Sequence, residues 1–240
     1  MTHDNKHITI SAFFPAYNDQ VTIQPMVLEI DYILKQVSDD YEIIVVNDCS
    51  TDNTGEILDE LRKHLPKLRV IHHKKNLGYG GALRSGFKAA KMDWIFYTDG
   101  DGQYDVKEIY SLLKHADTKD FITGYKIIRS DSLVRIFIGK VYHFINKTIF
   151  GLKVRDVDCD FRLFRRSIMD DINFVTDSGF FPVEMIRRFQ DKKIKFCEVP
   201  VRHYYRKSGN SQFFSLKNVL RVVKSLKSFW NELKCQKKKP

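Results

Sequence analysis

The 240-residue chain has few of the features that mark secreted or membrane-spanning proteins. Its four cysteines, Cys49, Cys159, Cys197 and Cys235, form no C-x-x-C pair and no zinc spacing. They read as reduced thiols, not as a disulfide framework. No apolar run approaches the ~20 residues that cross a bilayer. The polar start, Met1 to Lys6, leads into no apolar leader segment, so no signal peptide is expected. Acids are nearly missing from the C-terminal end: residues 201–240 hold eleven Lys and Arg and only Glu232. The first 200 residues are therefore neutral, and the net charge of +10 belongs to that end. A nucleic-acid-binding module would explain the charge but not this neutrality, so no nucleic acid partner is expected. What is present is a foldable chain, 43% hydrophobic and 13% aromatic, able to bury a sizeable core.

Strand and helix signals alternate through the first half. Ile8 to Phe14 is a short apolar run ending at Pro15, and Val21 to Val37 has helical spacing. Glu42 to Val46 reads as a buried strand, and Thr51-Asp52-Asn53-Thr54 offers capping chemistry for a helix through Leu61. Leu68 to Ile71 is a third strand. Gly78, Gly80 and Gly81 open a helix through Ala90, and Trp94 to Tyr97 is a fourth strand. Further helices are expected over 132–150 and 181–189, with strands over 161–164 and 195–201. Continuous apolar strands between amphipathic helices predict an α/β fold: a mostly parallel central sheet with helices on both faces. Ligands of such sheets sit beyond the carboxyl ends of the strands. The polar clusters there are Pro15-Ala16-Tyr17-Asn18-Asp19, Asn47-Asp48-Cys49-Ser50, Asn76-Leu77-Gly78 and Asp99-Gly100-Asp101.

Asp99 and Asp101 stand too close together to be comfortable without a cation between them. Hard oxygen ligands suit Mg²⁺ or Mn²⁺, and Gln103 could add a neutral oxygen. An ordinary acidic turn is the bland alternative. Asp48, at the end of the second strand, suits a base N–H or ribose hydroxyl, whereas Asp52 reads as a helix cap. The glycines at 78–81 put backbone N–H groups where an anion would be favoured. Asp156, Asp158 and Asp160 alternate beside Arg162, either as a solvated strand face or as a site in which one is a general base and Arg162 or a metal restrains the rest. Arg206 to Ser211 is a basic loop able to close over phosphates, or simply a solvated turn.

Beyond residue 212, Leu216, Val219, Leu220, Val223, Leu226, Trp230 and Leu233 follow helical spacing, with lysines on another face and at 237–239. A basic amphipathic helix of this kind suits an anionic membrane surface. Packing against its own domain is the alternative. The expected organisation is a catalytic domain over 1–212 and a basic helix with a Lys-rich tail over 213–240.

Four motifs in order, Phe14 to Asp19, Val46 to Thr54, Asn76-Leu77-Gly78 and Asp99 to Gln103, together resemble family 2 glycosyltransferases with the GT-A fold. The segments Asp156 to Arg166 and Glu198 to Ser211 resemble the branch acting on dolichyl and bacterial polyprenyl phosphates. That resemblance implies inverting transfer of a sugar from a UDP- or GDP-sugar to a lipid phosphate, with a saccharide or protein acceptor as the alternative. It implies that Pro15, Ala16, Tyr17, Asp19 and Asp48 hold base and ribose, and that Asn76, Gly78, Arg84, Asp99 and Gly100 line the rest of the donor site. Asp99, Asp101 and Gln103 would hold Mg²⁺ or Mn²⁺. Arg129, Arg135, Arg206 and Ser211 would meet the acceptor phosphate. Asp160 or Asp156, with Arg206, would stand at the reacting centre. The implied place of work is the cytoplasmic face of a membrane, held peripherally. Asp19 stands where the family usually has Glu, and Asn47 where a second Asp is common.

Overall fold

The computed structural model describes residues 8–129, 133–206 and 216–236. In chain order the elements are β1 (Thr9–Ala16), α1 (Ile23–Val37), β2 (Asp40–Asn47), α2 (Thr54–His64), β3 (Leu68–His72), α3 (Tyr79–Ala89) and β4 (Trp94–Thr98). A 3-10 turn (Val106–Glu108) and α4 (Ile109–Leu113) follow. The second half holds β5 (Phe121–Arg129), α5 (Leu133–Phe150), β6 (Phe161–Arg165), α6 (Phe181–Asp191), β7 (Phe196–His203) and α7 (Leu216–Gln236).

One seven-stranded sheet runs in the order β3-β2-β1-β4-β6-β5-β7. Every neighbouring pair is parallel except the two that β6 makes with β4 and β5. The α/β expectation with a mostly parallel sheet is thus met. Successive strand residues point to opposite faces, and both faces are covered. Ile10, Ala12 and Phe14 of β1 join a core under α1, α2 and α4. Phe13 joins a second core with α3, α6, Phe150 of α5 and Phe229 of α7. This two-sided burial is why β1, β2 and β4 read as unbroken apolar runs instead of alternating ones.

Three elements were not expected: β5, the short helical stretch over 106–113 and a 3-10 turn at Arg166–Met169. β5 interrupts its apolar residues with Gly124, Lys126 and Arg129, so it lacks the pattern of a buried strand. Gly124 is needed there, because a Cβ would lie 2.8 Å from a Val201 methyl and 2.9 Å from Cys159 Sγ.

The sheet order reverses at β1, with β2 on one side and β4 on the other. That switch point leaves a crevice at the carboxyl ends of β1 and β4. Two hydrogen bonds knit its floor: Asp48 N donates to Ala16 O (2.9 Å) and Gly100 N to Pro15 O (3.1 Å). A side chain at residue 100 would not fit, since a Cβ there would come within 2.9 Å of Pro15 O.

α7 is packed onto the domain. Phe229 is fully buried against Phe150 and Phe180, at centroid distances of 5.5 and 6.0 Å. Ser178 Oγ donates to Ser225 Oγ (2.8 Å), and Arg188 pairs with Glu232 at 2.9 Å. The opposite face of α7 keeps Leu220, Val223 and Trp230 exposed.

Candidate active site

The turn after β1 places Asp19 under the crevice. Its Oδ2 accepts from Tyr17 N (2.9 Å), and its own N donates to Thr54 Oγ1 (2.9 Å). Asp52 Oδ1 in turn accepts from Thr54 N (3.0 Å), so Asp52 holds the first amide of α2 from the residue before its N-cap, Asn53. Burial, followed by the charge of Asp101, pushes the Asp19 carboxyl up to about 6, against the pull of the Tyr17 amide and Arg206.

At the end of β2, Asp48 is almost completely enclosed. Its Oδ1 accepts from Leu77 N and its Oδ2 from Gly78 N, both at 2.8 Å, and Asn76 Nδ2 donates to its carbonyl (3.2 Å). His73 Nδ1 lies 2.7 Å from Oδ1, and His73 Nε2 lies 2.8 Å from Ser85 Oγ. A carboxylate only accepts, which puts the ring proton on Nδ1. The amides at the entrance to α3, where the sequence suggested an external anion, therefore hold the side chain of Asp48. Gly78 turns the chain into α3 at φ +82°, a conformation that side-chain-bearing residues rarely adopt.

Asp99 and Asp101 follow β4 directly. Tyr79 of α3 donates its hydroxyl to Asp99 Oδ1 (2.8 Å). Asp99 keeps some exposed surface at the strand tip, yet it is closely surrounded. Desolvation, then the charges of Asp160, Asp101 and Asp19, push its carboxyl well above the usual carboxylate range. Asp101 Oδ1 accepts from Gln103 N (3.0 Å). Gln103 also clips the segment after β7: its Nε2 donates to Tyr204 O (3.1 Å), and Tyr204 N donates back to its carbonyl (2.8 Å). That pairing carries Arg206 over the crevice, where its guanidinium lies 3.4 Å from Asp19 and 3.6 Å from Asp101.

Of the acids at 156–160, only Asp160 joins this group. Tyr97 of β4 donates to Asp160 Oδ1 (3.0 Å), and Arg162, wholly buried in β6, reaches the same oxygen at 3.1 Å. Arg162 also donates to Tyr97 Oη, Val157 O and Thr123 Oγ1. Asp156 sits elsewhere and holds its own loop, accepting from Lys126 N and Asp158 N, each at 3.2 Å. Lys126 Nζ donates to Asp158 O (2.7 Å). Arg84 donates to Phe174 O (3.0 Å) and Thr176 O (2.5 Å), so its guanidinium is tied to the loop before α6. Arg129 and Arg135 lie in β5 and α5, but their side chains are outside the described set, as is all of Ser211.

Pro15, Ala16, Tyr17, Asp19, Asp48, Asn76, Gly78, Asp99, Gly100, Asp101, Gln103, Asp160 and Arg206 are thus gathered at one edge of the sheet. Sequence reasoning gave no role to Tyr79, Tyr97 or His73. An aromatic in an apolar strand reads as core, and nothing in the sequence announces that its hydroxyl meets an acid. Arg162 had a signal: a lone cation inside the apolar run Phe161-Arg162-Leu163-Phe164 needs a buried partner.

Among the described residues no three His, Cys, Asp or Glu side chains form a metal cage. The donor chemistry nevertheless fits Mg²⁺ or Mn²⁺. These ions take one or two carboxylates, several waters and substrate phosphates, not an all-protein shell. Burial, and then the neighbouring acids, disfavour charge on Asp99 in a way that a nearby cation would offset.

Comparison with known proteins bears on the family. Residues 11–172 match the model of Glycosyl transferase family 2. A dolichyl-phosphate beta-glucosyltransferase of Trichomonas vaginalis is 30% identical over 207 residues, covering 78% of this chain and 61% of that protein. An undecaprenyl-phosphate 4-deoxy-4-formamido-L-arabinose transferase of Pseudomonas fluorescens is 27% identical, covering 85% of this chain and 60% of that protein. The chain spans about three fifths of the length of these relatives. Glucosyl-3-phosphoglycerate synthase of Mycobacterium tuberculosis, solved with Mn²⁺, UDP and glucosyl-3-phosphoglycerate, shares the GT-A-like fold. Its TM-score is 0.68 at 19% identity, covering 92% of this chain and 79% of that one. With more than half its length inside that family model and the acids of its motifs drawn to one sheet edge, the chain belongs to glycosyl transferase family 2.

Proposed function

We propose that the chain moves a sugar from a UDP- or GDP-sugar to a polyprenyl phosphate, with inversion, at a membrane surface. The observation that carries this reading is the group of Asp19, Asp99, Asp101 and Asp160 around one crevice, with desolvation raising two of them. Named relatives that act on dolichyl and undecaprenyl phosphates support the acceptor class.

Asp99 and Asp101 would hold a Mg²⁺ or Mn²⁺ ion. Bound there, the ion would offset the negative charge that grows on the departing nucleoside diphosphate. The turn at 15–19 and the loop at 76–78 frame the nucleotide on either side of Asp48. Tyr97 and Arg162 fix the direction of the Asp160 carboxyl. A lipid phosphate is already anionic, so the acceptor needs cations more than a base to remove a proton, and Arg and Lys side chains of the second half would supply them. A single in-line displacement at the anomeric carbon inverts it.

For the membrane, two neighbouring helices matter. Trp230 of α7 meets Phe150 of α5 at 6.1 Å. α5 exposes Val141, Phe144, Ile145 and Ile149, with Phe144 69% exposed. α7 adds Leu220, Val223 and Trp230 beside the exposed Lys224, Lys227 and Lys234. Apolar side chains rimmed by lysines suit an anionic bilayer surface. Among the described residues no helix is long and apolar enough to cross a membrane.

The test is direct. Purified protein is incubated with Mn²⁺ or Mg²⁺, a panel of UDP- and GDP-sugars, and polyprenyl phosphate in anionic vesicles. Transfer of sugar to the lipid is expected. Absence of transfer from every common donor overturns the reading.

A further inference from the structure

Each of two acids on opposite sides of the crevice gives one oxygen to its own turn and the other to Arg206. Asp19, after β1, gives Oδ2 to Tyr17 N and presents Oδ1 to Arg206 Nη2 at 3.4 Å. Asp101, after β4, gives Oδ1 to Gln103 N and presents Oδ2 to Arg206 Nη1 at 3.6 Å. The guanidinium therefore bridges the two walls, and its side chain is only 20% exposed. Its backbone is brought there by the Gln103–Tyr204 pairing.

We propose that Arg206 and the divalent ion compete for the same oxygen of Asp101. This inference rests on the metal-dependent reading above. The oxygen of Asp101 that an ion would take is the one facing Arg206, because the other is held by an amide. The ion and the guanidinium would bring three positive charges into one small space, so the arginine must give way as the ion enters. It leaves readily only if another anion receives it. A nucleoside diphosphate supplies that anion, so metal and nucleotide bind cooperatively and Arg206 transmits part of the coupling. The coupling is reciprocal: whatever factor the nucleotide adds to metal affinity, the metal adds to nucleotide affinity. The side chain that meets Asp19 and Asp101 would thus turn to phosphate once metal and nucleotide are bound.

The experiment measures free Mn²⁺ by electron paramagnetic resonance during titration of the full chain, without sugar donor or acceptor. It is run alone, with UDP and with GDP. For Arg206→Gln, Mn²⁺ alone should bind about tenfold tighter than to wild type, and the extra affinity conferred by UDP or GDP should shrink by about the same factor. Arg206→Lys keeps the charge but loses the two-pronged span, so it should fall between the two. It also carries the test if Arg206→Gln does not fold. Unchanged or weaker binding of Mn²⁺ alone in the variants overturns the inference. If wild type itself binds no Mn²⁺ with either nucleotide, the metal-dependent reading fails and takes the inference with it. That failure shows in the wild-type titration, before any variant is compared.

Discussion

At the tip of β4, Asp99 has one tyrosine hydroxyl and three acidic neighbours. In the loop before β6, Asp156 has two backbone amides and a lysine ammonium at 3.8 Å. Both acids belong to D-x-D pairs in the sequence, so the difference comes from their surroundings. A carboxylate given amides is a structural clasp. A carboxylate given desolvation and like charge holds unfavourable energy that a bound cation can release. The contrast extends to the two halves of the sheet. The second half ties several of its acids to its own backbone: Glu184 accepts from Val175 N and Thr176 N, both at 2.9 Å, and Glu198 from Arg155 N (2.6 Å), with Asp160 its exception. The first half leaves Asp19, Asp99 and Asp101 facing one another across the switch point. Asp48 is its exception, held by the amides of residues 77 and 78.

The sharpest way to break this comparison is to neutralise one member of each pair. Asp101→Ala should lower sugar transfer about a hundredfold or more while leaving the melting temperature nearly unchanged, because the residue serves a ligand instead of the fold. A variant with full activity would remove the metal assignment. Next in size is Phe229→Ala. It removes a fully buried ring from the second core and should cost about 3–5 kcal/mol in urea unfolding. A loss under about 1 kcal/mol would mean that α7 is only loosely attached.

The third prediction concerns pH. The Asp19 carboxyl rises from 3.8 to about 6 on folding, so the native state binds its proton more tightly than the unfolded chain. Stability from this group is complete below about pH 4 and is lost as pH rises through 6, a change of about 3 kcal/mol. In metal-free protein, Asp19→Asn should therefore melt higher than wild type at pH 7–8, and the gap should close toward pH 4. A gap of equal size at both pH values would show that burial is not the cause. The smallest effect is expected for Asp156→Ala. It strands the amides of Lys126 and Asp158 and should cost about 1–2 kcal/mol of stability, with transfer activity falling far less than for Asp101→Ala. Comparable activity losses in the two variants would erase the distinction between clasp and site.

Much of the architecture was legible because burial on both faces writes itself as apolar runs. β1, β2 and β4 and the helices between them lie within a few residues of their expected bounds. β5 was hidden because Gly124 and Lys126 answer to neighbours distant in sequence: a Val201 methyl and Cys159 Sγ crowd the first, and the carbonyl of Asp158 receives the ammonium of the second. The site was legible to the extent that strand-end acids are visible in sequence. Asp99, Asp101, Asp48 and Asp19 could be named without coordinates. The tyrosines could not, since the Tyr79 hydroxyl reaches Asp99 from α3 and the Tyr97 hydroxyl reaches Asp160 from a strand 63 residues earlier.

The residues by themselves settled the alternation of strands and helices, the position of the acid motifs at strand ends and the gathering of positive charge near the C-terminus. These depend on hydrophobic period and local spacing, which a linear chain displays. Folding decided which acids share a crevice, that Asp160 joins Asp99 while Asp156 does not, and that one face of the basic helix packs under Phe150 and Phe180 while its apolar remainder faces out. Those outcomes depend on desolvation and on contacts between segments dozens of residues apart, quantities that exist only once the sheet has closed around them.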